Sequence, residues 1–253
     1  MTKINLFDYY LPPELIAQKP IEPRDHSRLM VLKRESGEII HDWFYNLSNY
    51  LEKGDLLVVN NTRVISARLK GHLLTGGKAE ILLLRPLSSD YLIWEALVRP
   101  GRKLLPGAIL KVNGLEIEII KRADFGGRVI KFSEFRWELL EEKGEVPLPP
   151  YIKEPLKDPS RYQTIFAKEK GAVAAPTASL HFTPSLIKAL EQKGVELVEI
   201  TLHAGLGTFR PVRSQEIEDH KMHQEEFFIS EEVSQKIEKT KKVGKKVIAV
   251  GTT

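Results

Sequence analysis

Residues 183–203, TPSLIKALEQKGVELVEITLH, read as a helix that delivers the chain into a strand. Thr183 is a good N-cap and Gly194 a good stop, which places a helix over Pro184–Gln192. Val195–His203 follows as a strand ending on a histidine. The same rhythm returns downstream: Ser230 caps a helix over Glu231–Lys242, Gly244 ends it, and Val247–Val250 reads as a strand. Upstream, Asp55–Asn60 is a further strand. Helix alternating with strand implies an α/β layer with parallel strands.

Outward from this layer the pattern changes. Between Val64 and Phe132 the chain runs through short β-rich stretches punctuated by Gly and Pro: Ile65–Leu69, Ala79–Leu84, Tyr91–Val98, Ile109–Val112, Leu115–Ile120 and Arg128–Phe132. Such spacing suggests a small antiparallel barrel or sandwich. A helix over Ser133–Lys143 closes this unit at Gly144, and Val146-Pro147-Leu148-Pro149-Pro150 is an extended, stiff connector. The N-terminal part is Pro-rich and then forms a hairpin, Leu29–Lys33 with Ile39–Phe44, turned at Glu35-Ser36-Gly37. The expected class is α/β: a larger α/β domain, residues 1–62 and 147–253, with a smaller antiparallel β-barrel-like domain inserted at 63–146. Gly251-Thr252-Thr253 comes directly after a strand, where an α/β domain is expected to continue with a loop and another helix.

With 253 residues, 42% of them hydrophobic, the chain can bury a sizeable core. It has no cysteine, which excludes disulfides, iron–sulfur clusters and thiolate-ligated zinc. Apolar runs such as Ile81–Leu84 fall far short of the roughly 20 residues of a membrane-spanning helix. The N-terminus lacks the apolar stretch of a secretory signal, so a cytoplasmic protein is expected. A net charge of +4 is compatible with a nucleic-acid partner without requiring one.

Candidate site residues gather in the C-terminal half. His203 ends its strand, and Gly205-Leu206-Gly207-Thr208 follows, at the sheet edge where open α/β sheets bind ligands. The same residues would equally serve a two-glycine turn beside a packed histidine. GLGTFRP lacks a third glycine and meets Pro211, so it is no dinucleotide fingerprint. His181 lies just before the capped helix, near free amides that attract anions, and follows the small-residue stretch Ala174–Ala178 that contains Thr177. Tight packing of an inner loop explains that stretch as well. His220 and His223 stand three apart, with Glu225 next, a weak metal-ligand pattern. Asn60, Asn61 and Arg63 end a strand beside an expected cleft, and Tyr162 and Gln163 belong to a second polar, aromatic set. Arg99, Arg102 and Lys103, at a strand end of the β-rich unit, are the better RNA candidates, whereas the Lys241–Lys246 run reads as a solvated helix face.

Taken together these residues resemble one family, the S-adenosylmethionine:tRNA ribosyltransferase-isomerases of queuosine biosynthesis. The resemblance rests on FDYYLPPELIAQKP (Phe7–Pro20), RDHSRLMVL (Arg24–Leu32), VVNNTRVISARLKG (Val58–Gly71), GEVPLPPYI (Gly144–Ile152), RYQTIFA (Arg161–Ala167) and the two histidine segments. It implies transfer of the ribosyl portion of S-adenosylmethionine to 7-aminomethyl-7-deazaguanine at the wobble position of a tRNA with a GUN anticodon. Adenine and methionine leave, and the product is epoxyqueuosine. It further implies a large α/β domain with an inserted β-barrel, a monomer, no membrane, no metal, and no cofactor beyond the consumed S-adenosylmethionine. His203 and His181 would then supply the base and the acid. Gly205, Gly207 and Thr208 would hold S-adenosylmethionine, Arg63, Arg99 and Arg102 the RNA phosphates, and Thr177, Asn60, Asn61, Tyr162 and Gln163 would complete substrate binding. The sequence departs from the family's pattern at Ser179, typically glycine, and at Gln224, typically a small residue. The family also continues past the position of Thr253, with a segment of Asn-Phe-His-Leu-Pro type. A noncatalytic tRNA-binding module and a His/carboxylate metal hydrolase are the alternatives from other classes.

Overall fold

The computed structural model describes residues 1–251 except 206, 208–211, 213 and 223–224. Its α/β layer is a four-stranded sheet in the order Glu226–Phe228, Glu196–His203, Leu56–Asn60, Val247–Ala249. The last three strands are parallel, with Leu57 opposite Leu197 and Ile248. The helix Pro184–Lys193 begins where the Thr183 hydroxyl accepts the Leu186 N–H at 3.2 Å, and Gly194 follows it. Leu186 and Leu190 of its inner face pack on Leu57, Val59, Phe166 and Phe182. Full burial of each such side chain contributes about 1.5–3 kcal/mol. The helix Glu231–Lys242 is capped as expected, with Ser230 Oγ accepting from Val233 N at 3.3 Å.

The strand Glu226–Phe228 was not expected. It pairs antiparallel with the end of Glu196–His203, setting Glu226 opposite His203. Three residues are too few to show periodicity, and Phe227 and Phe228 stay exposed, so no burial pattern marks it.

The β-rich unit is a closed antiparallel barrel of six strands: Arg68–Leu73, Lys78–Pro86, Ile93–Arg99, Arg128–Phe132, Leu115–Arg122 and Ile109–Val112. It closes where His72 and Leu73 pair with Lys111 and Leu110. Gly71 permits the closure, because a Cβ there would lie 2.1 Å from the Lys111 carbonyl oxygen. Leu69, Ile81, Leu83, Trp94, Ile117 and Ile130 fill the interior. The first strand starts at Arg68, later than the apolar run from Ile65 suggested. Ile65 and Ala67 are buried, but Ile65 donates to the Ala172 carbonyl at 3.0 Å, so this stretch joins the two parts of the molecule. The helix begins at Trp137, not Ser133, because Ser133 still donates to Glu116 on the barrel ladder. A parallel pair, Thr62–Val64 with Glu169–Ala172, also ties chain on either side of the barrel.

Ser179 lies in the short 3-10 helix Thr177–His181, fully buried, with no hydrogen-bond partner for its hydroxyl among the described residues. An unsatisfied buried hydroxyl costs about 1–3 kcal/mol. Ser179→Ala is therefore expected to stabilise the protein by about 1 kcal/mol. The measurement is the urea midpoint at unchanged slope, and a lower midpoint contradicts the reading.

Candidate active site

The site is built from Asn60 upward. At the C-terminal end of two neighbouring parallel strands, Asn60 Oδ1 accepts from Thr62 N (3.0 Å) and Leu202 N (3.1 Å), while Nδ2 donates to the Leu202 carbonyl (2.8 Å). This buried amide locks the strand ends together and fixes Thr62, which is 1% exposed. The Thr62 hydroxyl meets His203 Nδ1 at 2.7 Å. Behind the imidazole is the backbone of Gly171 (φ 155°), where a Cβ would fall 2.8 Å from His203 Cε1. His203 is thus held at one ring nitrogen and backed by bare main chain, and among the described residues Nε2 has no hydrogen-bond partner.

His203 lines a cleft of about 550 Å³ between the barrel and the α/β layer. Tyr91 and Trp137 give it an aromatic wall, with their centroids 5.0 Å apart. Lys170 sits 5.5 Å over the Trp137 ring and pairs with Glu141 at 3.1 Å. Glu225 accepts the Gly205 N–H at 2.7 Å, so the glycine loop after His203 is anchored to the chain entering Glu226–Phe228. Aromatic faces, a cation and a histidine suit a ligand with flat rings and mixed charge. Burial holds His203 below its ordinary 6.5, against the pull of Glu226 and Glu169, so it is neutral and able to accept a proton at neutral pH. Burial pushes the Glu225 carboxyl up, against its bond from Gly205.

His181 does not line this cleft. Its Nδ1 meets Ser27 Oγ at 2.8 Å and its ring packs on Phe44. At the start of the following helix, buried Asp25 accepts from the hydroxyl of the capping Thr183 at 2.7 Å. Asn61 accepts from Thr201 Oγ1 at 2.8 Å and lines a second pocket with His203, Glu169 and Ser230. Gln163 makes a two-point bond to the Val64 backbone, at 3.0 and 2.7 Å. Tyr162 packs beside Val64 and Ala175, and burial pushes its hydroxyl up to about 12. Arg63 and Thr177 are exposed, Arg63 beside Gln163 and Trp137. Gly205 lines the cleft with His203; Gly207 follows it, and Thr208 lies outside the described residues. Arg99 and Arg102 are on the barrel, with Arg99 in a separate pocket. His220 ends the turn Ile217–Asp219, and its companion His223 lies outside the described residues. Among the described residues no group of three or more His or carboxylate side chains is placed to hold a metal ion.

Sequence reasoning missed the Thr62 hydroxyl, Gly171, Trp137 and Lys170. Thr62 sits inside the motif Val58–Gly71, but its link to His203 spans 141 residues.

His181 is also held below 6.5, by burial first. Where the folded pKa is depressed, the unfolded chain binds more protons, so stability is intact above 6.5 and is lost as pH falls through 6.5 toward the folded values. Glu225, raised, acts in the opposite sense from its ordinary 4.5 upward. The urea midpoint should drop between pH 7.5 and pH 5.5, and drop less in the double variant His181→Gln/His203→Gln. Equal drops in both proteins contradict the assignment.

A family profile described as "Queuosine biosynthesis protein" matches residues 4–253. The S-adenosylmethionine:tRNA ribosyltransferase-isomerase of Carboxydothermus hydrogenoformans is 56% identical, over 99% of this chain and 75% of the relative. The enzyme of the same name from Halothermothrix orenii is 51% identical, over 99% of this chain and 74% of its own. A crystal structure of S-adenosylmethionine tRNA ribosyltransferase from Thermotoga maritima aligns at TM-score 0.43 and 37% identity, covering 96% of this chain and 68% of that one. Agreement along the whole chain at more than half of its positions admits one conclusion: it belongs to the queuosine biosynthesis protein family.

Proposed function

We propose that this chain carries out the reaction its relatives are named for, transfer and isomerisation of the ribosyl portion of S-adenosylmethionine onto tRNA. The acceptor is the aminomethyl group of 7-aminomethyl-7-deazaguanine at the wobble position, and epoxyqueuosine-tRNA, adenine and methionine are the products. The observation that carries this reading is identity of 51% and 56% to relatives of that name over 99% of the chain. The cleft agrees with it chemically. One proton must leave the ribose carbon beside the sulfonium, and one must reach the departing adenine. We assign the first transfer to His203, neutral and with no partner at Nε2 among the described residues, and route no proton through His181. The sulfonium sulfur leaves with the carbon–sulfur electron pair, needing no metal, and S-adenosylmethionine enters as a consumed substrate with no resident cofactor.

Gly205, Gly207 and Thr208 are assigned to S-adenosylmethionine binding, of which Gly205 lines the cleft, and Arg63, Arg99 and Arg102 to RNA phosphates. A wobble base must be splayed from its stack to enter, and the aromatic wall of Tyr91 and Trp137 gives it a surface to stack on. The finer reading is a tRNA with a GUN anticodon, acted on by a monomer in the cytoplasm, where tRNA is available. No helix of the described residues is long and apolar enough to cross a membrane.

The test incubates the protein with S-adenosylmethionine and tRNA bearing the aminomethyl-deazaguanine, and digests the tRNA for mass analysis. Free adenine and an epoxyqueuosine nucleoside are expected. Retention of tRNA without either product would leave a binding module and sink the enzymatic reading.

A further inference from the structure

The barrel's outer face carries charges the cleft does not use. On three neighbouring strands, cross-strand pairing sets Lys111 opposite His72 and His72 opposite Lys78. The adjacent row sets Lys70 opposite Glu80 and Glu80 opposite Arg99. These six residues line one open pocket of about 570 Å³, with Lys70, Lys78, Arg99 and Lys111 against the single carboxylate Glu80, four positive charges to one negative. Like charges set close across a sheet destabilise it unless an anion answers them. Lys70 and Lys111 have exposed partners, Glu145 and Glu116, but Lys78 and Arg99 have no ion pair among the described residues.

The loop after Arg99 adds to this face and is fixed in place. Lys103 Nζ comes within 3.6 Å of where a Cβ on Gly77 would be, beside the turn leading to Lys78. Buried Arg128 clamps the loop from beneath, donating to the carbonyls of Gly101 (2.9 Å) and Leu104 (2.8 Å), and also to those of Gly126 (3.1 Å) and Gly127 (2.8 Å). Its guanidinium is thus satisfied by carbonyls alone and holds the basic loop rather than neutralising it.

The same strands connect this face to the cleft. Lys78 starts the strand whose far end, Leu84–Pro86, lines the cleft, and Arg99 ends the strand that begins beside Trp94. At about 3.3 Å per residue the separation along the strand is roughly 20 Å. We propose that this face of the barrel binds the sugar–phosphate backbone of the RNA whose base enters the cleft, roughly 20 Å from the reacting base. The inference rests on the tRNA reading above, and its test is separable from it because it reads binding, not catalysis.

The experiment compares the wild type with Lys78→Glu/Arg99→Glu and with a control of equal charge change, Lys188→Glu/Lys239→Glu, on exposed helix positions. Binding of tRNA is followed by filter retention from 50 to 200 mM salt, and folding by thermal melting. The barrel variant should bind at least tenfold more weakly, with a log–log salt slope shallower by about 1.4–1.8 for two lost phosphate contacts, while the control changes less than twofold. A milder pair, Lys78→Gln/Arg99→Gln, should show the same change in slope if the reversal disturbs folding. Unchanged slope in both barrel variants, equal weakening in the control, or retention of anionic vesicles in place of tRNA would overturn the proposal. Weakened binding by a protein whose wild type releases no adenine would uphold it and sink the activity instead.

Discussion

His203→Gln is expected to lower adenine release from S-adenosylmethionine and tRNA by about 10²–10⁴-fold, the range for loss of a positioned proton-transfer group. Gln keeps much of the side chain's size and can still bond Thr62, so the KM values for both substrates should move little and the melting temperature less. The expectation follows from three facts. Thr62 occupies Nδ1 at 2.7 Å, burial keeps the ring neutral, and the ring lines the cleft. A hydroxyl at Nδ1 fixes the plane of the ring, and if it accepts the Nδ1 proton it leaves a lone pair on Nε2. The parallel variant His181→Gln, at a ring that meets Ser27, packs on Phe44 and does not line the cleft, should stay within about tenfold of wild type, below the range for a proton-transfer group. Equal losses in the two variants, or a rate for His203→Gln within threefold of wild type, would remove His203 from the chemistry.

Gly171→Ala is the second large effect. The added methyl would stand 2.8–2.9 Å from three atoms of the His203 ring, closer than carbon atoms approach without displacement. Gly171 (φ 155°) falls at a register irregularity but is held on both sides, with Lys170 opposite Arg63, Ala172 opposite Val64, and Val173 donating to the Ala204 carbonyl at 3.1 Å. The imidazole is therefore the part that yields, and it cannot move without breaking its bond to Thr62. A displacement of about 1 Å at a catalytic group costs about 10²-fold in rate. The stability cost, by contrast, should stay near the 1–3 kcal/mol typical of overpacking. Kinetics and urea unfolding on one preparation separate the two. A variant that unfolds but retains the wild-type rate while folded would show that the ring position does not matter.

Much of the α/β layer was legible because its signals are local. Thr183 and Ser230 each cap the helix they were read to cap, and Gly194 and Gly244 follow those helices. The barrel strands show through their alternation, and five of the six were placed within about two residues. The links that make the site were not legible, because they join residues remote in sequence. Asn60 reads as one amide among several polar residues until its three bonds to Thr62 and Leu202 are seen. The histidine pair looked equivalent on the page, each beside small or Gly-rich chain. Ser27 and Phe44, distant in sequence, hold the His181 ring, which does not line the cleft as His203 does. Arg128 reads as one more basic residue, and only the fold shows it holding a loop that carries other cations.

The most direct measurement uses S-adenosylmethionine deuterated on the ribose carbon beside the sulfonium, with the aminomethyl-deazaguanine tRNA as acceptor. Wild-type protein should release adenine and form ribosylated tRNA that has lost one deuterium from that carbon, and His203→Gln should lose neither adenine nor deuterium at a comparable rate. Ribosylated tRNA that keeps all its deuterium, or deuterium loss that proceeds unchanged in His203→Gln, would contradict the account.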